Sequence, residues 1–311
     1  MSSAYGEAYV NPLGVNIADP VVIHDGGSYY LYGTTSDSEG FIVYTSKDLV
    51  HWHDKGFAFR KTPQSWGRGR FWAPCIIKRA NAFYLFYSAI GNAGGHASHR
   101  ICLAASSSPL GPFQDIKTPL LNTLTAAIDP HVFIDDDGEP YIYYSIDVCE
   151  NKVSRIYVSH LSQDLTTVIR PATLCIEPSA VWEGAIWNEA PYVIKVGKKY
   201  VLMYSARGYF EPSYAVGYAV SDSPMGPWVK AEQNPILKRT DVVSGPGHNC
   251  IVDSPDGREK FIMYHVHKHP NGGWERELAM DRIDIKEEAG TIKLVVHGPT
   301  NTPQPMPSCA R

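Results

Sequence analysis

The stretch ADPVVIHDGGSYYLYGTT, residues 18–35, decides the fold because its pattern recurs along the chain. It consists of a short apolar strand, a glycine-containing turn and a second strand rich in tyrosine and leucine, which is the pattern of a β-hairpin. The units begin 54 to 61 residues apart, and a third strand usually follows each hairpin. Four further segments share this plan: APCIIKRANAFYLFYSA from Ala73, DPHVFIDDDGEPYIYYS from Asp129, APYVIKVGKKYVLMYSA from Ala190 and GHNCIVDSPDGREKFIMYH from Gly247.

The repeats predict an all-β fold. Long amphipathic helical patterns are missing, and so is the strand–helix alternation of a parallel α/β fold. Five units of three or four antiparallel strands predict a five-bladed β-propeller around a central channel, in which radial repetition protects the sheet edges. The period is too long for WD40 repeats. We expect residues 1–311 to form one catalytic domain, with blades starting near 18, 73, 129, 190 and 247 and with 299–311 as a strap or a frayed tail.

Composition excludes several classes of partner. The chain has 311 residues, a net charge of −4 and no basic run, so nothing favours nucleic-acid binding. No apolar stretch approaches the roughly 20 residues that span a bilayer. The six cysteines include no CxxC pair, so neither a zinc site nor a dense disulfide framework is indicated. The first residues lack a signal-peptide pattern, which favours a cytoplasmic protein unless a signal has been removed. The oligomeric state is left open.

The propeller hypothesis brings distant residues together. If the first strand of each unit is innermost, the five strand starts meet at one mouth of the channel. The residues at these starts are Asp19, Trp72, Asp129, Glu189 and His248. Three carboxylates from three blades would then converge with an indole and an imidazole, and this joint pattern favours a site for acid–base chemistry.

Each residue also has an ordinary structural interpretation. Asp-Pro and Ala-Pro are common strand openers, so Asp19 or Asp129 alone would be a turn residue. His248 could be a hydrogen-bonded channel histidine or could hold a metal or water. Trp72 could belong to the core or could stack on the flat face of a sugar.

Three carboxylates suit inverting glycoside hydrolysis. In that reaction one ionised carboxylate activates water and one protonated carboxyl protonates the leaving oxygen. A third acid near the second would raise its pKa and keep it protonated near neutral pH.

The chain resembles glycoside hydrolase family 43 from about Asn16 to Thr300. The motifs are ADP at 18–20, FWAP at 71–74, IDPHVFIDDDG at 128–138, NEAP at 188–191 and GPGHN at 245–249. The resemblance implies a five-bladed propeller enzyme that acts on arabinose- and xylose-containing oligo- or polysaccharides.

The resemblance also implies roles for individual residues. Asp19 would be the general base, Glu189 the general acid, and Asp129 the residue that raises the pKa of the acid and orients it. Arg276 would bind substrate. His248 would lie in the axial channel, where a structural calcium ion or a water cluster is expected, although the chemistry itself requires no cofactor.

Several alternatives remain open. Glu183, six residues before Glu189, is a rival for the acid, although a loop position lining the sugar pocket or facing solvent fits it better. The related sucrose- and fructan-active propellers would show Arg-Asp-Pro and Glu-Cys, whereas this chain has Ile128-Asp129-Pro130 and Glu189-Ala190.

A carbohydrate-binding propeller without catalysis would not require all three acids. A phosphorylase would need a basic cluster at the mouth, for which Arg68 and Arg70 are candidates. Among hydrolases we expect an exo-acting α-L-arabinofuranosidase or β-D-xylosidase ahead of an endo-arabinanase.

Overall fold

The computed structural model describes residues 7–91, 98–122, 126–146, 152–288 and 290–309. Apart from short 3-10 segments such as Val181–Glu183, the regular structure in these ranges consists of strands. Blade I contains β2 (Ala18–Asp25), β3 (Ser28–Thr34), β4 (Gly40–Ser46) and β5 (His53–Arg60). Blade II contains β6 (Gly69–Arg79), β7 (Ala82–Ile90), β8 (His99–Ser106) and β9 (Gln114–Leu121). Blade III contains β10 (Ala127–Ile134), β11 (Pro140–Ile146), β12 (Arg155–Leu161) and β13 (Val168–Ile176). Blade IV contains β14 (Asn188–Val196), β15 (Lys199–Ala206), β16 (Ala215–Ser221) and β17 (Val229–Lys230). Blade V contains β18 (Gly247–Asp253), β19 (Lys260–His267), β20 (Arg276–Glu288) and β21 (Thr291–Val296).

Each blade is a four-stranded antiparallel sheet whose strands follow one another in sequence order. The first strands of neighbouring blades contact one another all the way round, from β2 through β6, β10 and β14 to β18 and back to β2. The predicted five-bladed β-propeller is therefore confirmed. Three innermost strands begin a few residues before the predicted blade starts, at Gly69, Ala127 and Asn188.

The blades pack through aromatic side chains. Between blades I and II, the rings of Phe41, Phe59, Phe71 and Tyr87 are fully buried and contact one another. Burying each such side chain contributes roughly 1.5–3 kcal/mol. The hydroxyl of a buried tyrosine needs a partner, and Tyr143 of blade III donates to the carbonyl oxygen of Pro224 in blade IV at 2.6 Å. The tyrosines of the second strands therefore fill the core and also connect neighbouring blades.

Every innermost strand carries a β-bulge at the same place. In blade I, Ala18 pairs with Thr34 and Val21 pairs with Tyr32, so β2 has one residue more than β3 over this interval. The residue in the bulge adopts a left-handed conformation, which costs a non-glycine residue about 1–3 kcal/mol. The five bulge residues and their φ angles are Asp19 (54°), Ala73 (44°), Asp129 (54°), Ala190 (56°) and His248 (51°).

Hydrogen bonds from the bulges connect each blade to the one before it. The backbone N–H of the bulge residue donates to a side chain on the second strand of the preceding blade. Within that preceding blade, the accepting residue pairs with the residue that comes just before the bulge of its own first strand. The pairs are Ala73 to Thr34 Oγ1 (2.9 Å), Asp129 to Ser88 Oγ (3.1 Å), His248 to Ser205 Oγ (2.8 Å) and Asp19 to His265 Nδ1 (3.1 Å). These bonds satisfy buried donors and hold the strained backbone in place.

Blade IV departs from this pattern. The N–H of Ala190 donates to Oδ2 of Asp129 at 3.1 Å. The residue of blade III that corresponds to Ser88 and Ser205 is Ser145, and its Oγ is buried without a hydrogen-bond partner among the described residues. A carboxylate has therefore taken the place of a serine hydroxyl in the ring of bonds.

The two ends of the described chain meet on blade V. The strand β1 (Ala8–Tyr9) pairs antiparallel with β22 (Gln304–Pro305). The guanidinium of Arg282 on β20 donates to the carbonyl oxygen of Pro305 at 3.1 Å. Residues 304–305 thus lie as a strap against the last blade.

The described ranges also show the state of the cysteines and whether a helix could cross a membrane. Cys75, Cys102, Cys175 and Cys250 are buried free thiols, whereas Cys309 is exposed, and Cys149 lies outside the described residues. Nowhere in these ranges does a helix have the length and apolarity that crossing a membrane would require.

Ser88 and Ser145 provide a matched test of the ring of bonds. We expect Ser88→Ala to lower the free energy of unfolding by about 1–3 kcal/mol, because it leaves the buried N–H of Asp129 without an acceptor. We expect Ser145→Ala to be neutral or slightly stabilising, because it removes a buried hydroxyl that has no partner in the described structure. Urea unfolding of both variants measures the difference, and equal losses would contradict this account.

Candidate active site

A cavity of about 710 Å³ opens where the innermost strands begin. Its volume is in the range of small-molecule binding sites. Of the seven residues considered from the sequence for catalysis, sugar binding or metal binding, six line it, namely Asp19, Trp72, Asp129, Glu189, His248 and Arg276. Glu183 is the exception among the residues that the structure describes.

The six residues do not occupy equivalent positions of their strands. Asp19, Asp129 and His248 are bulge residues with positive φ. Glu189 and Trp72 stand one residue earlier, where each pairs with a serine of the second strand, so Ala190 and Ala73 occupy the bulges of their blades. Five of these residues were predicted to be strand starts, and the structure places Glu189 and Trp72 one residue before the bulge position that Asp19, Asp129 and His248 occupy.

Positive charge surrounds the carboxylate of Asp19. Its Oδ1 lies 3.1 Å from Nδ1 of His248 and 3.3 Å from a guanidinium nitrogen of Arg276, and its Oδ2 accepts a hydrogen bond from the hydroxyl of Thr34 at 2.6 Å. Burial raises the pKa of Asp19, but the charges of His248 and Arg276 outweigh burial and hold it well below its usual value. Burial also opposes protonation of His248, yet Asp19 raises the pKa of that imidazole overall. Asp19 is thus an ionised carboxylate, as a general base must be.

A second histidine, His265, lies beneath Asp19 and was missed by the sequence reasoning. Burial lowers its pKa to about 3, so the ring is neutral. Because its Nδ1 accepts the N–H of Asp19, the proton of the ring is on Nε2. His265 therefore supports the backbone of the candidate base without adding charge. The sequence signal was the place of His265 near the end of the second strand of its repeat. The corresponding positions of the other blades hold Thr34, Ser88, Ser145 and Ser205.

Asp129 is close to the backbone of the candidate acid. The side chain is 7% exposed, and its Oδ2 accepts the N–H of Ala190, the residue that directly follows Glu189. A negative charge held so near a second carboxyl disfavours ionisation of that carboxyl.

Glu189 is 6% exposed and lies in a different environment from Asp19. Its Oε1 accepts a hydrogen bond from the hydroxyl of Tyr214 at 2.8 Å. Burial, followed by the nearby Glu189 and Asp129, raises the pKa of Tyr214 well above its usual value, so this phenol stays protonated and acts as the donor. The cations that hold Asp19 ionised are paired with Asp19 on the other side of the site.

Aromatic rings form one wall of the cavity. Trp187, Tyr209, Phe210 and Trp274 all line it, and Phe210 stacks on Trp274 with ring centroids 5.8 Å apart. The guanidinium of Arg276 lies 4.8 Å from the centre of the Tyr209 ring. Such a wall suits the apolar face of a sugar ring.

Trp72 lies on a different wall, contributed by blades I and II. Its ring stacks on His99 at 4.3 Å, its indole N–H donates to a carboxylate oxygen of Asp37, and Arg70 lies 5.7 Å from its ring centre. Arg68, the other arginine considered for phosphate binding, lines a separate cavity. The pocket therefore combines two aromatic walls with the carboxylates between them.

Glu183 is buried and does not line the pocket. The expectation that it lines the pocket or faces solvent from a loop is therefore wrong. Its carboxylate is fully buried, 2.6 Å from the ammonium of Lys230, and it accepts hydrogen bonds from the N–H groups of Ser179 and Ala180 and from the hydroxyl of Tyr204. Burial raises the pKa of Glu183, but these four donors lower it overall. Burial also lowers the pKa of Lys230, more than Glu183 raises it. This pair fixes the segment that leads into β14, which makes Glu183 a support for Glu189.

The calcium ion expected near His248 is not matched by the side chains around that residue. Calcium takes six to eight oxygen ligands, whereas His248 contacts one carboxylate that also lies beside a guanidinium. Across the described parts of the chain, no group of three or more histidine, cysteine, aspartate or glutamate side chains is arranged to hold a metal ion. This donor set does not fit direct calcium coordination by His248.

Comparisons with known proteins agree with this geometry. The family model described as glycosyl hydrolases family 43 matches residues 9–291. A solved structure of a thermostable family-43 glycoside hydrolase is 45% identical, with a TM-score of 0.91 and coverage of 97% of this chain and 100% of that one.

Two curated relatives have named activities. A β-D-galactofuranosidase of Aspergillus niger is 30% identical over 266 residues, which cover 80% of this chain and 73% of the relative. An extracellular exo-α-(1→5)-L-arabinofuranosidase of Cellvibrio japonicus is 26% identical over 213 residues, which cover 61% of this chain and 59% of the relative. The aligned part is thus about three fifths of the length of the second relative.

The chain belongs to glycosyl hydrolase family 43. The predicted family, the propeller and the class of inverting glycoside hydrolase are confirmed by the match over nearly the whole chain.

Arg276 allows the electrostatics of Asp19 to be tested. We expect Arg276→Gln to raise the pKa of Asp19, so that the base becomes protonated at higher pH and the acid limb of the kcat/KM profile moves up by about 1 pH unit. Arg282→Gln is the matched control, because Arg282 is also on β20 but pairs with Glu259 at 2.6 Å outside the cavity. An acid limb that stays in place in Arg276→Gln would show that this arginine does not set the charge of Asp19.

Glu183 and Glu189 can be distinguished by stability. We expect Glu183→Gln to lower the free energy of unfolding by about 3 kcal/mol, because it leaves the Lys230 ammonium without its partner. The ratio of rates on good and poor leaving groups should stay at the wild-type value. Glu177→Gln, which breaks a more exposed pair with Arg155, should cost less than about 1 kcal/mol. A leaving-group dependence in Glu183→Gln would instead return this residue to the role of acid.

Proposed function

We propose that this family 43 chain is an exo-acting hydrolase that releases terminal pentoses from arabinose- or xylose-containing oligo- and polysaccharides, as an α-L-arabinofuranosidase, a β-D-xylosidase or both. The observation that supports the proposal best is the meeting of Asp19, Asp129 and Glu189 in one cavity of about 710 Å³ between aromatic walls. The ionised state of Asp19 and the different surroundings of Glu189 support the two proposed roles.

Asp19 acts as the general base. Its carboxylate takes a proton from a water molecule as the water oxygen attacks the anomeric carbon of the terminal sugar. Thr34 and Arg276 hold the two carboxylate oxygens in place, so the base is oriented before substrate binds. His248, held by its N–H to Ser205, completes this arrangement from blade V.

Glu189 acts as the general acid. It gives its proton to the glycosidic oxygen as the bond from that oxygen to the anomeric carbon breaks, and it becomes a carboxylate. Water attacks from the opposite face of the sugar, so the configuration at the anomeric carbon is inverted. The charge of Asp129 beside Ala190 favours the protonated state that Glu189 needs before each turnover.

The terminal sugar binds between the two aromatic walls. Trp72 on one side and Tyr209 and Phe210 on the other present ring faces to the apolar face of a furanose or xylopyranose. Arg276 has donors left beyond those near Asp19, and they can bind a sugar hydroxyl.

A second candidate is a β-D-galactofuranosidase, which the relative from Aspergillus niger supports. A β-D-galactofuranoside has the ring configuration of an α-L-arabinofuranoside and carries a longer side chain on C4. The same acid and base would serve both sugars, and space around C4 would decide between them.

A panel of nitrophenyl glycosides tests the proposal. We expect wild-type protein to hydrolyse the α-L-arabinofuranoside or the β-D-xyloside faster than the β-D-galactofuranoside, with the inverted anomer appearing first by proton NMR. Asp19→Asn should lower kcat by roughly 10³-fold on every substrate, because general base catalysis is lost. Glu189→Gln should be slow on alkyl glycosides but retain activity on dinitrophenyl glycosides, which need little protonation.

Other outcomes have defined meanings. A preference for the galactofuranoside would select the second candidate. Release of oligosaccharides from arabinan without activity on the panel would indicate an endo-arabinanase. Binding to arabinan or xylan with no hydrolysis of either polymer and no activity on any glycoside of the panel would favour a carbohydrate-binding propeller instead.

A further inference from the structure

A fully buried tyrosine contacts the candidate acid from behind the pocket. Tyr214 directly precedes β16, has no exposed surface and is not part of the cavity lining. Its hydroxyl donates to Oε1 of Glu189 at 2.8 Å. Its ring stacks on the neutral ring of His265, with centroids 5.6 Å apart and planes within 2°. Tyr214 thus lies between the support of the base and the carboxyl of the acid.

The hydrogen bond between Tyr214 and Glu189 runs from the phenol to the carboxyl oxygen. The N–H of His248 can only donate, and it donates to Ser205 Oγ at 2.8 Å. Burial, followed by Glu189 and Asp129, raises the pKa of the Tyr214 phenol well above its usual value, and Ser205 lowers it by less, so the phenol keeps its proton. That proton is donated to Oε1 of Glu189. Ser205 thus connects the bulge of blade V with the tyrosine that contacts the acid.

The GPGHN motif makes room for this tyrosine. A Cβ on Gly247 would lie 2.1 Å from Cε1 of Tyr214, closer than any real contact. Only glycine at 247 therefore allows the Tyr214 ring to lie against the start of β18. The motif thus serves the acid on β14 as well as placing His248 in the pocket.

We propose that Tyr214 is a positioning residue for Glu189, which occupies Oε1 as an acceptor so that the proton transferred to the glycosidic oxygen is carried on Oε2. The inference rests on the proposed role of Glu189 as the general acid. When the proton leaves Oε2, the bond from Tyr214 becomes a bond to a carboxylate and strengthens, because hydrogen bonds to ionised acceptors are the stronger ones. Tyr214 itself keeps its proton throughout the reaction.

The titratable groups near Glu189 differ from the neutral phenol of Tyr214 in how they affect its ionisation. Asp129 lies beside Ala190 and disfavours ionisation of Glu189 through its charge. His248 and Arg276 are paired with Asp19, and His265 is neutral. Tyr214 donates a hydrogen bond to Glu189, and such a bond favours the ionised carboxylate, so its removal should shift the acid towards the protonated form.

Tyr214→Phe removes only this hydroxyl and keeps the ring. We expect kcat on alkyl or phenyl glycosides to fall by roughly 10- to 100-fold, since a less readily ionised and less well-oriented acid protonates poor leaving groups slowly. On dinitrophenyl glycosides kcat should change by less than about 3-fold, and KM should stay within about 2-fold on both classes. The alkaline limb of the kcat profile should move to higher pH.

The matched control is Tyr143→Phe. Tyr143 is also fully buried and on the neighbouring blade, but its hydroxyl donates to the carbonyl oxygen of Pro224, away from the cavity. It should lower the melting temperature without changing the leaving-group dependence or the alkaline limb. Ser205→Ala is a second variant: it removes the hydroxyl that lowers the pKa of Tyr214, which makes the phenol a weaker donor, and it should move the limb in the same direction by a smaller amount.

The proposal and the role of Glu189 can fail separately. If Glu189→Gln shows no leaving-group dependence, the assignment of the acid is wrong. If Glu189→Gln shows that dependence but Tyr214→Phe has the wild-type alkaline limb and equal losses on both classes of substrate, Tyr214 is only a structural residue. Should Tyr214→Phe fail to fold, an unmoved limb in folded Ser205→Ala would overturn the proposal, and a shifted limb would support it.

Discussion

The backbone hydrogen bonds that run from each bulge to the preceding blade are the constraint on which this structure depends. A left-handed residue near the start of each innermost strand is unfavourable by itself, and it persists because a side chain of the neighbouring blade accepts its N–H. The same bonds connect blades and place side chains at the channel mouth. Closing the ring brings Asp19, near the beginning of the sequence, onto His265 near its end. Without closure of the ring, neither His248 nor Arg276 could reach Asp19.

The two proposed catalytic roles are supported by two kinds of neighbour. Asp19 and Glu189 are equally buried, at 8% and 6% exposure, so burial does not distinguish them. Asp19 has an imidazole and a guanidinium within 3.3 Å, which favour its ionised form. Glu189 lies near the charge of Asp129, which disfavours its ionisation, and accepts a hydrogen bond from a neutral phenol, which stabilises the carboxylate once the proton has left. Pairs of carboxyl groups whose surroundings separate their ionisation are the general device of acid–base hydrolases.

The sequence predicted most of the fold and the centre of the site. Hairpins repeating every 54 to 61 residues were enough to predict five blades, because the hydrophobic period and turn residues are local properties. The motifs around Asp19, Asp129 and Glu189 were enough to predict three acids at one mouth, since closure of a propeller makes strand starts neighbours. The one-residue offset of Glu189 is visible in the sequence, since Asp19 and Asp129 directly precede a proline and Ala190 separates Glu189 from Pro191, but that this offset places Ala190 in a bulge depends on pairing between strands.

The residues that were missed share a different cause. Tyr214 and His265 are two of many tyrosines and histidines in a chain with 19 and 12 of these residues, and neither stands in a motif that indicates its partner. Glu183 was expected in a loop, either lining the sugar pocket or facing solvent, and its ion pair with Lys230 depends on how the segment before β14 packs on β17. Each of these contacts joins residues from separate strands or blades. Only the folded arrangement of the blades reveals them.

Blade IV shows how the site departs from the rule of the fold. Elsewhere in the described ring a hydroxyl or an imidazole of the preceding blade accepts the bulge N–H, but at Ala190 the acceptor is the carboxylate of Asp129, and Ser145 is left without a partner. A buried hydroxyl without a bond is unfavourable, so folding alone would favour Ser145 as the acceptor. The substitution of a carboxylate fixes a negative charge one residue from Glu189. Proteins depart from the local rules of their fold mainly at functional sites. Here the departure is the hydrogen bond from Ala190 to Asp129, which lies next to Glu189, the carboxyl group whose ionisation we propose is coupled to that of Asp129.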